Sequence, residues 1–81
     1  MPTLAIFDGI SILMYLNDHA PPHFHVNRAG KKAAIEIESG RVMRSNLDRR
    51  TLAKVQAWRM INQSALSMSW TQCQQRTTMT K

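Results

Sequence analysis

The chain has a single cysteine, Cys73, so no internal disulfide can staple its 81 residues. A chain this short buries a small core, and without a staple its margin of stability is thin. A lone thiol fits a reducing cytoplasm, or support from a partner chain. No apolar run reaches the ~20 residues of a membrane helix. The start of the chain lacks the basic residues of a secretory leader, so a cytoplasmic protein is expected. Acid is scarce as well. Five Asp and Glu stand against eleven Lys and Arg, for a net charge of +6. After Asp48 there is no acid, while Arg49, Arg50, Lys54, Arg59, Arg76 and Lys81 follow. A field of one sign draws phosphate backbones or an acidic protein, or simply keeps a surface soluble. No zinc finger, RNA-recognition aromatic pair or helix-turn-helix pattern is recognisable. There is also no internal repeat or linker. With 43% hydrophobic residues, the chain reads as one globular domain over residues 1–81.

Against that background one stretch is dense in chemistry. Asp18 to Val26 reads Asp-His-Ala-Pro-Pro-His-Phe-His-Val. It holds all three histidines and two of the three prolines. Histidine titrates near neutral pH, moves protons and ligates transition metals. Pro21 and Pro22 stiffen the segment and bias their predecessors away from helix. An extended loop should therefore lead into a strand at Phe24. Alternation then puts His23 and His25 on one face, Phe24 and Val26 on the other.

The remaining pattern is strands first and helices last. Thr3 to Phe7 and Ile10 to Leu16 predict a hairpin turned at Asp8-Gly9. The second of these is almost wholly apolar, as for a central strand covered on both faces. Phe24 to Arg28 and Lys31 to Glu38 predict another hairpin, turned at Ala29-Gly30. In that register Phe24 faces Ile35, Val26 faces Ala33 and His23 faces Glu36. Ser39-Gly40 would turn the chain into a short last strand, Arg41 to Arg44, with Val42 opposite Ile37 and Glu38 opposite Arg41. From Asp48 the period becomes helical. Leu52, Val55, Trp58 and Ile61 recur at intervals of three, a stripe that drifts around a helix of ~3.6 residues per turn. Leu66 and Trp70 restore the original face. This predicts two helices, 48–62 and 64–74, broken near Asn62, Gln63 or Ser64, with Asn62 as a cap and a polar, frayed tail from Gln75. The fold class is α+β: an antiparallel sheet of four or five strands over residues 3–45, covered on one face by the helices. Trp58 and Trp70 read as that cover, the methionines as gap-fillers or an adaptable interface, and Cys73 as inert.

The histidines admit three readings. As a catalytic site, His23 or His25 acts as general base or acid, Glu36 orients it, and Arg28, Lys31 and Lys32 hold phosphate. Metal-independent ribonuclease chemistry needs about that much and requires no cofactor. As a metal site, His19, His23 and His25, with a carboxylate from Asp18 or Glu36, supply three or four ligands to zinc, nickel or copper. As structural groups, they cap the Pro-Pro loop and pack beside Tyr15. A second basic patch, Arg49, Arg50 and Lys54, opens the first helix, where phosphate commonly binds.

The chain resembles a family of small bacterial proteins, formally a domain of unknown function. The resemblance rests on Met1-Pro2-Thr3, the Phe7-Asp8-Gly9 turn, the Asp18 to Val26 centre, and Trp58 and Trp70, and runs to about Gln72. Such proteins are often encoded beside a second small protein, in pairs that look like toxin–antitoxin modules. The resemblance implies a function class and assigns no role to any histidine. With charge and histidines added, the expected function is the toxin-like member of such a pair, acting on RNA or the ribosome. The competing expectation is a non-enzymatic binding module, metal-loaded through its histidines, that meets an acidic partner protein.

Overall fold

In the computed structural model, residues 3–15 and 18–79 are described, with side chains as far as residue 74. The Met1-Pro2 opening and the last two residues of the tail lie outside the described residues. Five strands form one antiparallel sheet in sequence order: β1 (Thr3–Phe7), β2 (Ile10–Leu13), β3 (His23–Arg28), β4 (Lys31–Glu36) and β5 (Val42–Ser45). Two helices follow, α1 (Arg49–Ile61) and α2 (Gln63–Met79). This is the expected α+β architecture. Among the described residues, no helix is long and apolar enough to cross a membrane.

The hairpin turns follow from backbone chemistry. Ala29 and Gly30 both have positive φ, 52° and 83°. That is the turn whose twist matches the flanking strands, and it normally carries Asn-Gly or Asp-Gly. Asp8-Gly9 repeats it between β1 and β2, with Asp in the first position. The resulting β3–β4 register is the expected one: His23 faces Glu36, Phe24 faces Ile35 and Val26 faces Ala33.

Two strand expectations need correction. β2 ends at Leu13 and is not covered on both faces: Ile10 and Ile12 are buried while Ser11 and Leu13 are half-buried. The central strand is β3. The β4–β5 pairing also differs, since Val42 pairs with Ile35 and not with Ile37. Ile37 leaves the ladder because its backbone is taken elsewhere. Its N–H donates to the Pro22 carbonyl (3.1 Å), and its carbonyl accepts from Arg59 (2.9 Å) and Gln63 (3.3 Å). The chain then turns through Gly40, whose φ is +77° and where a Cβ would stand 2.7 Å from the Arg59 guanidinium. Only glycine suits both conditions.

The core lies between sheet and helices. Ile10, Ile12, Met14, Phe24, Val26, Ala33, Ile35 and Ile37 meet Val55 of α1 and Leu66 and Cys73 of α2. Asp48 is the N-cap of α1, in extended backbone. Asn62 closes it, with backbone N–H and side-chain Nδ2 both donating to the Trp58 carbonyl. The helix break thus falls at the expected place. α2 continues to Met79, past residue 74 where the sequence reading ended it. Trp58 stacks on Phe7 (5.8 Å between centroids) and meets Phe24 edge-on (6.1 Å).

Two outcomes follow from this packing. Phe24 is fully buried, so Phe24→Ala should cost about 3–5 kcal/mol, and Trp58→Ala, half-buried, about 3 kcal/mol; urea unfolding measures both. Ala29 holds a conformation that costs a non-glycine residue about 1–2 kcal/mol. Ala29→Asn should therefore raise the urea midpoint, and an unchanged or lower midpoint would argue against this turn.

Candidate functional site

The loop before β3 delivers a carboxylate to two imidazoles. The Asp18 Oδ2 atom lies 3.0 Å from Nε2 of His23 and 3.0 Å from Nε2 of His25. The other oxygen, Oδ1, accepts the His19 backbone N–H at 2.9 Å. One carboxylate oxygen therefore fixes the loop while the other faces the ring nitrogens. β2 stops opposite His25, so His23 has no strand beside it on that flank. The Asp18–Pro22 loop and α2 fill the space. Trp70 brings its ring centroid 5.4 Å from that of His23, and Gln74 Nε2 donates to the Asp18 carbonyl at 2.9 Å. His25 packs against Tyr15, at 4.4 Å.

The sequence reading points His23, His25 and Glu36 away from the helices together, and His23 corrects it. His23 is 3% exposed, beneath Trp70; the His25 side chain keeps 27% of its surface. Glu36 sits across the ladder from His23 but turns to Arg41 (3.1 Å) and to the Ser39 hydroxyl, which donates to it. The Ser39 hydrogen bond and then Arg41 hold its carboxyl below the ordinary range. Asp18, and not Glu36, is the carboxylate that meets the two rings. His19 is 88% exposed, and its ring approaches Asp18 only at 3.3 Å, on Oδ1. Among the described residues, the donor group with metal-ligand geometry is Asp18, His23 and His25.

Hydrogen-bond direction sharpens the chemistry. His23 Nδ1 stands 2.6 Å from the Pro21 carbonyl. A carbonyl only accepts, so Nδ1 carries the proton. If His23 is neutral, its Nε2 then presents a lone pair to an anionic oxygen. A cation must lie between them: a proton shared by the pair, or a metal ion. The protonated arrangement can exchange a proton through the more exposed His25. The Asp18 carboxyl itself is subject to opposed effects. Desolvation pushes it up, but the His25 hydrogen bond, the His19 N–H and the charge of the two rings when protonated outweigh that and hold it below the usual value.

The face of the sheet away from the helices extends from this cluster. Leu13, His25, Ala34 and Arg44 stand side by side across four strands, with Asn27 and Lys32 in the next row. His25 and Lys32 join two shallow hollows of about 180 and 130 Å³, one reaching Tyr15 and Asn27, the other Arg44. A larger hollow of about 350 Å³ lies beside the cluster, between Pro21-Pro22 and Trp70, but excludes both ring donors. The expected basic residues divide. Lys32 joins His25. Arg28 and Lys54 converge on Asp8 at the opposite end, Arg28 Nε on its carbonyl (3.5 Å) and Lys54 on its carboxylate (3.3 Å). Lys31, Arg49 and Arg50 are exposed. Arg44 was not among the expected site residues: an irregularity between Ala34 and Ile35 sets it opposite Ala34, which an even register does not give.

Because the Asp18 carboxyl is depressed in the fold, its stabilisation is complete above the ordinary value near ~3.9 and is lost as pH falls through the folded value. The stability difference between wild type and Asp18→Asn should therefore shrink below about pH 4. Thermal melts across an acid series measure it; a difference that stays constant would contradict the assigned hydrogen bonds.

No curated protein and no solved structure matches the chain. The family described as "Domain of unknown function (DUF4160)" matches residues 9–71. That span contains β2 to α1, most of the sheet, and Asp18, His23 and His25. By this match over most of its length, the protein belongs to the DUF4160 family of domains of unknown function.

Proposed function

We propose that the protein is an RNA-directed, toxin-like member of a two-protein module, acting in the cytoplasm through the open face of its sheet. The observation that carries this reading is the placing of Lys32 and Arg44 beside His25 on the side of the sheet away from the core cluster. Among the described residues no carboxylate lies within ion-pair distance of either cation. Asp18 is engaged by the rings and Glu36 by Arg41. A phosphate arriving there meets positive charge and no competing anion. Tyr15 adds a partly exposed ring, and base–aromatic stacking with flanking cations is how single strands are commonly held. Asn27 Oδ1, the one buried side-chain acceptor without a partner among the described residues, lies on the same face. The resemblance to gene-paired proteins supports the two-protein setting, and the +6 charge supports an anionic target.

The test is fluorescence anisotropy with a labelled single-stranded RNA across a salt series. Binding should weaken steeply with salt, because it releases counterions from the RNA and added salt opposes that release. Lys32→Ala with Arg44→Ala should weaken it at least tenfold and reduce the log–log salt slope by about 1.4, or ~0.7 per lost phosphate contact. Arg49→Ala with Arg50→Ala, away from the open face, should have the smaller effect. No binding at low salt would overturn the reading and favour an acidic protein partner.

A further inference from the structure

We infer that Asp18, His23 and His25 bind one divalent transition-metal ion, Zn²⁺ in the first place, through Oδ2 and the two Nε2 atoms. The inference goes beyond the RNA reading and does not depend on it.

Donor spacing is the first ground. Ligands about 2.0–2.1 Å from one ion, set 90–109° apart, stand about 2.9–3.4 Å from each other. Asp18 Oδ2 is 3.0 Å from each Nε2, and all three donor atoms lie within 4.8 Å of one another. His25, the more exposed ring, can rotate to complete the set. Two imidazoles and one carboxylate suit Zn²⁺ and its neighbours, whereas Ca²⁺ and Mg²⁺ demand oxygen.

The supporting hydrogen bonds are the second ground. A ligating imidazole usually donates its other N–H to a carbonyl, which fixes the tautomer and aims the lone pair. His23 Nδ1 meets the Pro21 carbonyl at 2.6 Å. The carboxylate is oriented likewise, with Oδ1 held by the His19 N–H and its backbone carbonyl by Gln74. Oδ2 is left to face the rings.

Charge is the third ground. With Nδ1 donating to the Pro21 carbonyl, His23 Nε2 turns a lone pair toward the Asp18 carboxylate, at a side chain only 4% exposed. A buried charge needs an excellent partner to offset its lost hydration. An ion between three donors meets that need and leaves both rings neutral. Three protein ligands also leave a coordination position for water or substrate, the pattern of reactive zinc sites. His25 is the ligand that also lines the hollow holding Lys32 and Arg44.

Untagged protein, stripped with chelator and dialysed, would be titrated with ZnCl₂ alone by calorimetry. One ion per chain should bind, and long-range ¹H–¹⁵N spectra should show the Nε2 signals of His23 and His25 shifting while His19 stays put. His25→Ala should weaken binding at least a hundredfold, since even loss of a supporting hydrogen bond typically costs 10–100-fold. Asp18→Asn should weaken it too, and His19→Ala should leave it within about threefold. Circular dichroism would confirm that His25→Ala, at a partly exposed position, remains folded. Absence of binding at micromolar Zn²⁺, or equal losses in His19→Ala and His25→Ala, would overturn the inference and assign the bridging cation as a proton. RNA binding is measured separately, so either reading can fail alone.

Discussion

His23 commits its Nδ1 proton to the Pro21 carbonyl and still turns Nε2 to an Asp18 oxygen, which leaves a lone pair facing a carboxylate unless a proton or another cation lies between them. Much of the molecule is arranged around that constraint. The prolines bring Asp18 back over β3, and Pro21 presents the carbonyl that sets the His23 tautomer. Pro22 accepts the Ile37 N–H and so couples the same loop to the end of β4. α2 extends far enough for Trp70 to cover His23 and Gln74 to hold the Asp18 backbone. Each contact lowers the local dielectric or removes a freedom, and both make a polar contact stronger and an unpaired one more costly.

The cluster is tied to the core through β3. Phe24 and Val26 point into the helix layer while His23 and His25 take the opposite side of the strand. A one-residue slip of β3 would exchange the two sets, burying imidazoles in the apolar layer and exposing Phe24. The Ala29-Gly30 turn and the β4 partners therefore specify the site's position as well as the fold. Arg59 makes a further connection. Its guanidinium serves the carbonyls of Ile37 and Glu38 across Gly40, so a basic residue of α1 is used to fasten the β4–β5 corner.

Much of this was legible in the residues. Alternation along Phe24 to Arg28 and Lys31 to Glu36 carried the central register, because one buried face makes register specific. The drifting apolar stripe after Asp48 carried the helix break at Asn62. What failed depended on partners distant in sequence. Glu36 is opposite His23 in the ladder, so cross-strand logic favoured it as the orienting acid; Ser39 and Arg41, three and five residues on, claim it instead. Asp18 is five residues from His23 through two prolines, and no periodicity states that such a loop folds back on its own strand. Likewise, alternation said that His23 leaves the core face, but not that α2 would pass the end of β2 and cover it.

The positive charge also divides by use in a way that counting could not reveal. Arg59 is spent on carbonyls, Arg41 on Glu36, and Arg28 and Lys54 on Asp8. A charge already facing an anion or a buried carbonyl adds little to the attraction of a phosphate. Lys32 and Arg44 have no such engagement through their charged ends among the described residues, and they stand where His25 opens to solvent. The acid-free stretch after Asp48 drew attention to the helices. Once spent charges are set aside, it is the two cations on the sheet that share a surface with the cluster. His25 is the residue common to both: its ring meets Asp18 and also lines the hollow with Lys32 and Arg44.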